Sequence, residues 1–234
     1  MKVLFIMSGK GGVGKSTIAV NLAYALKELK TGLMDADIHG PNIPNFLGIS
    51  GEIKTHDQKL IPYTKNGVKV ISIGFMLGEY DSIAWRGPMK HNLIKQFVKE
   101  TQWGQLDYLI VDLPPGTGDE ALSVVQLLKQ NPHGAVVVST PQKASIQDSK
   151  RCIDFCKKTD TNIIGMIENM SGGIFGESTI KDIASSANIN FLGKMSLNTE
   201  VVKAGEKGEV FAGSQNNADK ELKEIVKKIK EYME

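Results

Sequence analysis

Apolar and polar positions alternate along the chain in blocks that predict strands and helices in turn. Short runs rich in Val, Ile and Leu are typical of strands buried on both faces of a sheet, and segments with helical periodicity follow them. The strands are predicted at about 2–7, 31–36, 106–112, 134–139, 161–167 and 189–193. The helices are predicted at about 15–29, 89–101, 118–130, 143–158, 178–187 and 217–233. This alternation predicts an α/β fold, with a mostly parallel twisted sheet covered by helices on both faces.

One region breaks the alternation. Between about 50 and 75, the segments KLIPYT and VKVISI flank KNG, which predicts a small hairpin inserted after the second strand. No repeat, low-complexity tract or linker interrupts the rest of the chain. We therefore expect a single domain over residues 1–234.

Composition excludes several classes of protein. Charged residues make up 23% and apolar residues 41% of the 234 positions, which is ordinary for a globular chain. A net charge of +2 does not indicate a nucleic-acid surface, and no apolar run approaches the roughly 18 to 20 residues that span a bilayer. The two cysteines do not form a disulfide framework. We expect a cytoplasmic protein without nucleic-acid or membrane partners.

The segment GKGGVGKST at positions 9 to 17 carries the strongest chemical signal. It matches GxxxxGK[ST] and lies between an apolar strand and a helix, as a phosphate-binding loop requires. Backbone amides and the helix N-terminus attract phosphate, Lys15 reaches the outer phosphates, Ser16 ligates Mg²⁺ and Thr17 adds a donor. The predicted ATP-binding residues here are Gly9, Lys10, Gly11, Gly12, Val13, Gly14, Lys15, Ser16 and Thr17.

Acidic residues follow two of the predicted strands. The strand TGLM leads into DADIHGPN, with Asp35 and Asp37, and LDYLIV ends at Asp112. A carboxylate at the end of a buried strand is costly without a cation or donors, and Mg²⁺ with its waters supplies them. We predict Asp35 and Asp112 in the Mg²⁺ site, the latter through water, and Asp37 as the group that orients the attacking water. The alternative for Asp35 and Asp37 is a helix cap or an acidic turn.

Lys10 is an additional lysine inside the loop. GKGGVGKST together with DADIHGPN resembles the deviant P-loop ATPases that include MinD, ParA and the nitrogenase iron protein. The resemblance implies a nucleotide-gated homodimer in which Lys10 reaches the partner subunit's phosphates, so Lys10, Lys15 and Asp37 form the predicted catalytic set. A solvated surface lysine is the alternative for Lys10. Hydrolysis is expected to be slow unless a second subunit contributes this cation.

Four further segments point to a narrower family. WRGPM at 85–89, WGQLDYLIVDLPPGTGDE at 103–120, STPQ at 139–142 and IGMIENMS at 164–171 resemble the Mrp-type, or ApbC-type, iron-sulfur cluster carrier ATPases. The resemblance implies a role in iron-sulfur cluster assembly or transfer, with assembly or target proteins as partners. It also implies that Asn169 recognises the adenine edge and that Pro141 packs nearby. The alternative for Asn169 is a turn residue at a strand end.

The chain departs from that family where the family binds its cluster. Cluster-carrying members have a CxxC pair shortly after ENMS, whereas this chain continues as ENMSGGIFGE. The family's cluster ligands are therefore absent, and whether an iron-sulfur cluster is bound stays open. Cys152 and Cys156 share one helix face and could offer two thiolates, although an apolar stripe there favours buried cysteines instead.

The missing cysteines leave two other functions open. One is a nucleotide-dependent scaffold or switch that recruits a partner protein without carrying a cluster. The other, weaker, alternative is a positioning ATPase like MinD or ParA, for which the C-terminal amphipathic segment would serve as a membrane anchor. That segment balances lysines with acids, so we expect it to pack on the domain instead.

Overall fold

The computed structural model describes residues 1–76, 87–172 and 180–233, and residues 87–89 by their backbone alone. Trp85 and Arg86 of the WRGPM segment lie outside these ranges, as does the IFGE segment after Gly173. The statements below concern the described residues.

Parallel strands build the main sheet. They are β1 (Lys2–Met7), β2 (Thr31–Asp35), β6 (Val68–Ser72), β7 (Tyr108–Asp112), β8 (His133–Ser139), β9 (Ile163–Ser171) and β10 (Phe191–Ser196), with β5 (Tyr63–Lys65) antiparallel at one edge. Their order is β10-β9-β8-β1-β7-β2-β6-β5. Two short strands, β3 (Lys54–His56) and β4 (Lys59–Ile61), form a separate antiparallel pair. β1 lies in the interior of the sheet, between β8 and β7, so the loop after it is central to the edge where the strands end.

Helices cover both faces of the sheet. They are α1 (Lys15–Ala25), α2 (Ile43–Phe46), α3 (Gly87–Glu100), α4 (Asp119–Leu128), α5 (Lys143–Lys158), α6 (Ile180–Ser186), α7 (Thr199–Glu206) and α8 (Asn217–Met233). Buried residues of α1 and α8 share one core cluster, whereas those of α3, α4, α5 and α6 belong to the clusters on the opposite face. This is the two-sided α/β architecture that the sequence predicts.

The predicted hairpin is confirmed but belongs to the main sheet. Asn66 and Gly67 form the turn with positive φ angles of 50° and 87°, which matches a tight two-residue hairpin between β5 and β6. The hairpin also extends the main sheet, because β6 pairs in parallel with β2 along Gly32–Asp35. The pattern of VKVIS predicts a strand, but it carries no information about this distant partner.

The C-terminal helix packs against the sheet. Leu222, Ile225, Val226 and Ile229 are buried in the cluster that also contains α1, while Tyr232 keeps 49% of its surface exposed. The apolar stripe is therefore occupied by intramolecular packing, as the charge balance suggests. Among the described residues, no helix has both the length and the apolar character needed to cross a membrane.

Candidate functional site

The ends of three adjacent strands bring the predicted phosphate-site residues together. β7 pairs with both β1 and β2 in parallel, so the loops after these strands leave the same edge of the sheet. Asp112 is the register partner of Ile6 on one side and of Asp35 on the other. The P-loop and both acidic segments therefore meet at one edge.

The backbone of the P-loop leaves open space on its outer side. A Cβ added at Gly11 or Gly12 would meet no atom within 4 Å, and both residues are exposed. At Gly9 a Cβ would collide with the backbone of Asp148, so glycine is required there by close packing against α5. Gly14 has a φ of 80°, which favours glycine just before α1. The loop is anchored on its inner side and accessible on its outer side, which suits an anion.

Lys15 forms a buried ion pair with Asp112. Their Nζ and Oδ1 atoms are 2.6 Å apart, with the side chains 6% and 1% exposed. Burial raises the pKa of Asp112, and the neighbouring Lys15 ammonium opposes that shift. The second carboxylate oxygen, Oδ2, is buried and has no hydrogen-bond partner among the described residues. An unpaired buried oxygen beside a lysine is the type of group that a metal-bound water satisfies.

Asp35 is held by protein donors on both carboxylate oxygens. Oδ1 accepts from the backbone N–H of Asp37 at 3.2 Å, and Oδ2 accepts from the N–H of Ile43 at 3.2 Å and the hydroxyl of Ser72 at 2.8 Å. Burial, followed by the nearby charge of Asp112, raises the pKa of Asp35 to about 7. These bonds fix the segment that follows β2. Ser72 could not be predicted from the sequence as a site residue, because its partner Asp35 lies on a different strand.

Asp37 lies in the turn that Asp35 holds. It is 8% exposed, and its Oδ1 accepts from the backbone N–H groups of His39 and Gly40 at 3.2 Å and 3.3 Å. Oδ1 therefore has the role that the acidic-turn alternative gives to Asp37. Because both backbone N–H groups donate to Oδ1, the carboxylate has a fixed orientation at the edge where the P-loop opens.

A polar cluster links this turn to the helix that follows Asp112. Lys90 on α3 lies 3.1 Å from Glu120 on α4 and 3.3 Å from the Nε2 atom of His39. Hydrogen bonds, including that from Lys90, outweigh desolvation and lower the pKa of Glu120. The loops after β2 and β7 are therefore connected outside the phosphate site as well as inside it.

Lys10 is bound by a residue of its own chain. Its Nζ donates to Oε1 of Gln142 at 3.1 Å, and the bond is exposed to solvent. Gln142 directly follows Pro141, in the segment between β8 and α5. The described structure therefore gives Lys10 an intramolecular partner that any interaction with a second subunit would have to replace.

Asn169 contacts the P-loop directly. The residue is 9% exposed, and Nδ2 donates to the carbonyl of Val13 at 2.8 Å. A Cβ at Gly14 would collide with this amide nitrogen. With one Nδ2 hydrogen bonded to Val13, the side chain presents Oδ1, an acceptor, and the second Nδ2 hydrogen, a donor, to its remaining surroundings.

A cavity of about 320 Å³ lies beside the P-loop helix and Asn169. Its walls are mainly apolar and come from α1, α2, the end of β10, α7 and Phe211. Pro141, predicted to pack near the base, is not among the residues that line it. Sequence analysis missed this cavity because Leu197, Val201, Val202 and Phe211 lie in a region where it predicts no element. The amphipathic pattern of residues 199–206 was the sequence feature that could have predicted this wall of the cavity.

Both cysteines are buried in the sheet-facing side of α5. Cys152 and Cys156 have no exposed surface, and Cys156 contacts the sulfur of Met7 at 3.6 Å. Burial raises the pKa of each thiol to about 12. Metal ligation requires the thiolate, so the structure disfavours the alternative cluster site on this helix. Within 1–76, 87–172 and 180–233, no group of three or more His, Cys, Asp or Glu residues could hold a metal ion.

Known proteins are similar to this chain in sequence, in fold, or in both. The family model of ParA-type NUBPL iron-transfer P-loop NTPases matches residues 1–231. The mouse cytosolic Fe-S cluster assembly factor NUBP2 is 42% identical over 227 residues, covering 89% of this chain and 82% of the relative. An iron-sulfur cluster carrier protein of Methanocaldococcus jannaschii is 42% identical over 246 residues, with 99% and 84% covered.

One similar solved structure contains a nucleotide. It is a nucleotide-binding protein from Archaeoglobus fulgidus in complex with ADP, with a TM-score of 0.77 and 36% identity, covering 89% of this chain and 86% of that one. The fold described above therefore occurs in a related protein that binds ADP.

Proposed function

Because this chain belongs to the ParA-type NUBPL iron-transfer P-loop NTPase family, we propose that it is a dimeric, slowly hydrolysing Mg-ATPase of iron-sulfur cluster assembly or transfer. The observation that carries the proposal is the open P-loop with the buried Lys15–Asp112 pair behind it. The expected cytoplasmic location is part of the same proposal, and the cytosolic role in the name of the mouse relative supports it.

The residues at the strand ends fit Mg²⁺ with phosphate. Ser16 is the first-turn hydroxyl of α1, and the unpartnered Oδ2 of Asp112 suits a metal-bound water. Both oxygens of Asp35 already accept bonds from the protein, so we now assign Asp35 to positioning the Asp37 turn instead of to the metal. Bound Mg²⁺ would neutralise phosphate charge, while Lys15 exchanges its bond to Asp112 for the outer phosphates.

Asp37 and Lys10 have the two remaining roles in this proposal. The fixed Asp37 carboxylate orients the attacking water, and Lys10 of the partner subunit stabilises the charge that develops on the phosphates. In a single chain Lys10 is bound to Gln142, so the cation set for hydrolysis is incomplete until a dimer forms. Slow hydrolysis follows from this requirement.

Asn169 supports adenine as the base. One Nδ2 hydrogen is bound to Val13, and we propose that Oδ1 faces a base in the adjacent cavity. An acceptor pairs with the exocyclic amine of adenine and repels the carbonyl oxygen at the same position of guanine. The apolar walls suit the faces of either purine, so Asn169 is the residue that distinguishes adenine from guanine.

Replacing Asn169 with alanine tests this assignment. We expect Asn169→Ala to weaken Mg-ATP binding by about tenfold, because its bonds to the base and to the Val13 carbonyl are lost, and to reduce the preference for ATP over GTP, because the bond to the base is lost. Isothermal titration calorimetry with both nucleotides gives the two affinities. Asn190→Ala is the matched control, since Asn190 also donates to a carbonyl, that of Ile164, at 3.1 Å. An unchanged ATP-to-GTP ratio in Asn169→Ala would contradict the proposed contact.

The iron-sulfur role is proposed to depend on a partner that supplies cysteines. The CxxC pair of the family is absent from the sequence, and the two cysteines present are buried with raised pKa values. The chain would then act as the nucleotide-driven member of an assembly in which another protein holds the cluster. Assembly or target proteins are its proposed partners.

Anaerobic reconstitution separates a direct from an indirect role. With ferrous iron and sulfide, the isolated chain is expected to show no visible absorption band of a protein-bound cluster, because neither thiol is accessible as a thiolate. A CxxC-bearing family member is the positive control. A band that appears in the wild-type chain and disappears in Cys152→Ala would contradict the indirect role and restore the cluster site on α5.

The second candidate is a nucleotide-dependent scaffold that recruits a partner without appreciable hydrolysis, which the loss of the cysteine pair favours. Its ATP-bound dimer would be the functional state. A positioning ATPase like MinD or ParA is a weaker candidate, because the apolar stripe proposed as its membrane anchor is buried against the domain. The effect of Asp37→Asn on phosphate release distinguishes the hydrolase from the scaffold.

A further inference from the structure

Asn21 interrupts the apolar face of the P-loop helix. It lies within IAVNLAYA on α1 and is 4% exposed, with buried apolar neighbours on both sides in the sequence. Asparagine is a weak helix former, and burying its amide costs free energy unless all of its polar atoms are bonded. Neither helix formation nor core packing therefore explains an asparagine at this position.

The Asn21 side chain joins two segments that are distant in sequence. Its Nδ2 donates to the carbonyl of Thr17 at 2.9 Å. Its Oδ1 accepts from the backbone N–H groups of Phe211 at 2.9 Å and Ala212 at 3.1 Å. One amide thus bonds the first part of α1 to the segment between α7 and α8.

Both of these segments border the cavity beside the P-loop. Thr17 and Phe211 line it, and Phe211 is 3% exposed. Behind the wall, Asp219 on α8 accepts from the N–H groups of Gly213 at 2.7 Å and Gln215 at 3.1 Å. Asn21 therefore connects this wall to the P-loop helix by hydrogen bonds, and Asp219 connects it to α8.

We propose that Asn21 is a positioning residue for nucleotide-base binding: it fixes the Phe211 wall of the cavity relative to the P-loop helix. The proposal rests on the proposed function, in which the cavity takes the base of ATP. It assigns no contact between Asn21 and the nucleotide. Losing Asn21 would leave the phosphate cradle in place and free the wall against which the base packs.

The test compares ligands with and without a base. Mg-ATP and Mg-tripolyphosphate are titrated into the wild-type chain and into Asn21→Ala. We expect the variant to bind ATP about tenfold more weakly, from the loss of the wall's bonds, and to bind tripolyphosphate within twofold of wild type. Asn131→Ala is the control, since Asn131 also donates to a backbone carbonyl, that of Leu128, but precedes the start of β8, whereas the cavity lies where β9 and β10 end.

Equal losses for the two ligands, or no loss for either, would overturn the role of Asn21. A wild-type chain that binds tripolyphosphate as tightly as ATP would instead contradict the base cavity, and with it the proposed ATP specificity. If circular dichroism shows that Asn21→Ala does not fold, hydrogen exchange of the wild-type chain decides. ATP should protect the amides of Phe211 and Ala212 more than tripolyphosphate does, and equal protection by the two ligands would overturn the proposal.

Discussion

Replacing Lys15 with alanine is expected to weaken Mg-ATP binding by at least about 100-fold, the largest binding effect in this chain. Truncating one partner of a buried, hydrogen-bonded charge pair across a binding interface costs about 2–5 kcal/mol. In the proposed complex Lys15, the buried cation of the P-loop, forms such a pair with the outer phosphates. Titration calorimetry with Mg-ATP measures the loss. Lys27→Ala, an exposed lysine shortly after α1, is the control.

The same substitution also removes the cation beside Asp112. An unpaired buried carboxylate destabilises a fold by about 3–5 kcal/mol, so a loss of binding by Lys15→Ala alone could reflect unfolding. In Lys15→Met combined with Asp112→Asn, the buried charge is absent and most of the stability should return, as measured by urea denaturation. We expect this double variant to be folded and still unable to bind ATP. Near-normal affinity in either variant would show that the site assignment is wrong.

Asp37→Asn is expected to slow phosphate release by about 100-fold or more, since a positioned acid-base group contributes roughly 10²- to 10⁴-fold. ATP affinity should stay within a few-fold of wild type, because asparagine keeps an Oδ1 acceptor for His39 and Gly40. The measurement is phosphate release at saturating Mg-ATP.

The control is Asp107→Asn, because Asp107 also accepts a backbone N–H, from Lys30 at 3.0 Å, but lies where β7 begins, away from the P-loop. Unchanged phosphate release in Asp37→Asn would favour the scaffold over the hydrolase. A loss of ATP affinity as large as the loss of rate would instead assign Asp37 to nucleotide binding.

Local patterns were sufficient for most of the fold. The helices at Lys143–Lys158 and Asn217–Met233 have the predicted bounds, since amphipathic periodicity and its ends are encoded in neighbouring residues. The sheet membership of β6 could not be predicted in the same way, because a parallel partner is chosen through a distant crossover. α2 and α7 were missed because each is short and is held by contacts with other elements.

The residues of the candidate site also differ in whether neighbouring residues in the sequence could predict them. Lys15 and Asp112 were predicted, because a contiguous motif and an acid at the end of a buried strand are visible in the chain. Ser72 and Asn21 were not, since each acts through a hydrogen bond to a residue on another element. No local signal distinguishes such a residue from an ordinary polar position.

The sequence by itself therefore determined the α/β architecture and the phosphate loop, which depend on periodicity and on residues adjacent in the chain. It also determined that the chain has no CxxC motif. Only the tertiary structure decided that both thiols are buried, that both carboxylate oxygens of Asp35 accept protein donors, and that Asn21 connects α1 to Phe211. The physical reason is that burial and hydrogen-bond pairing depend on the three-dimensional arrangement of the chain, which is set only when distant segments pack together.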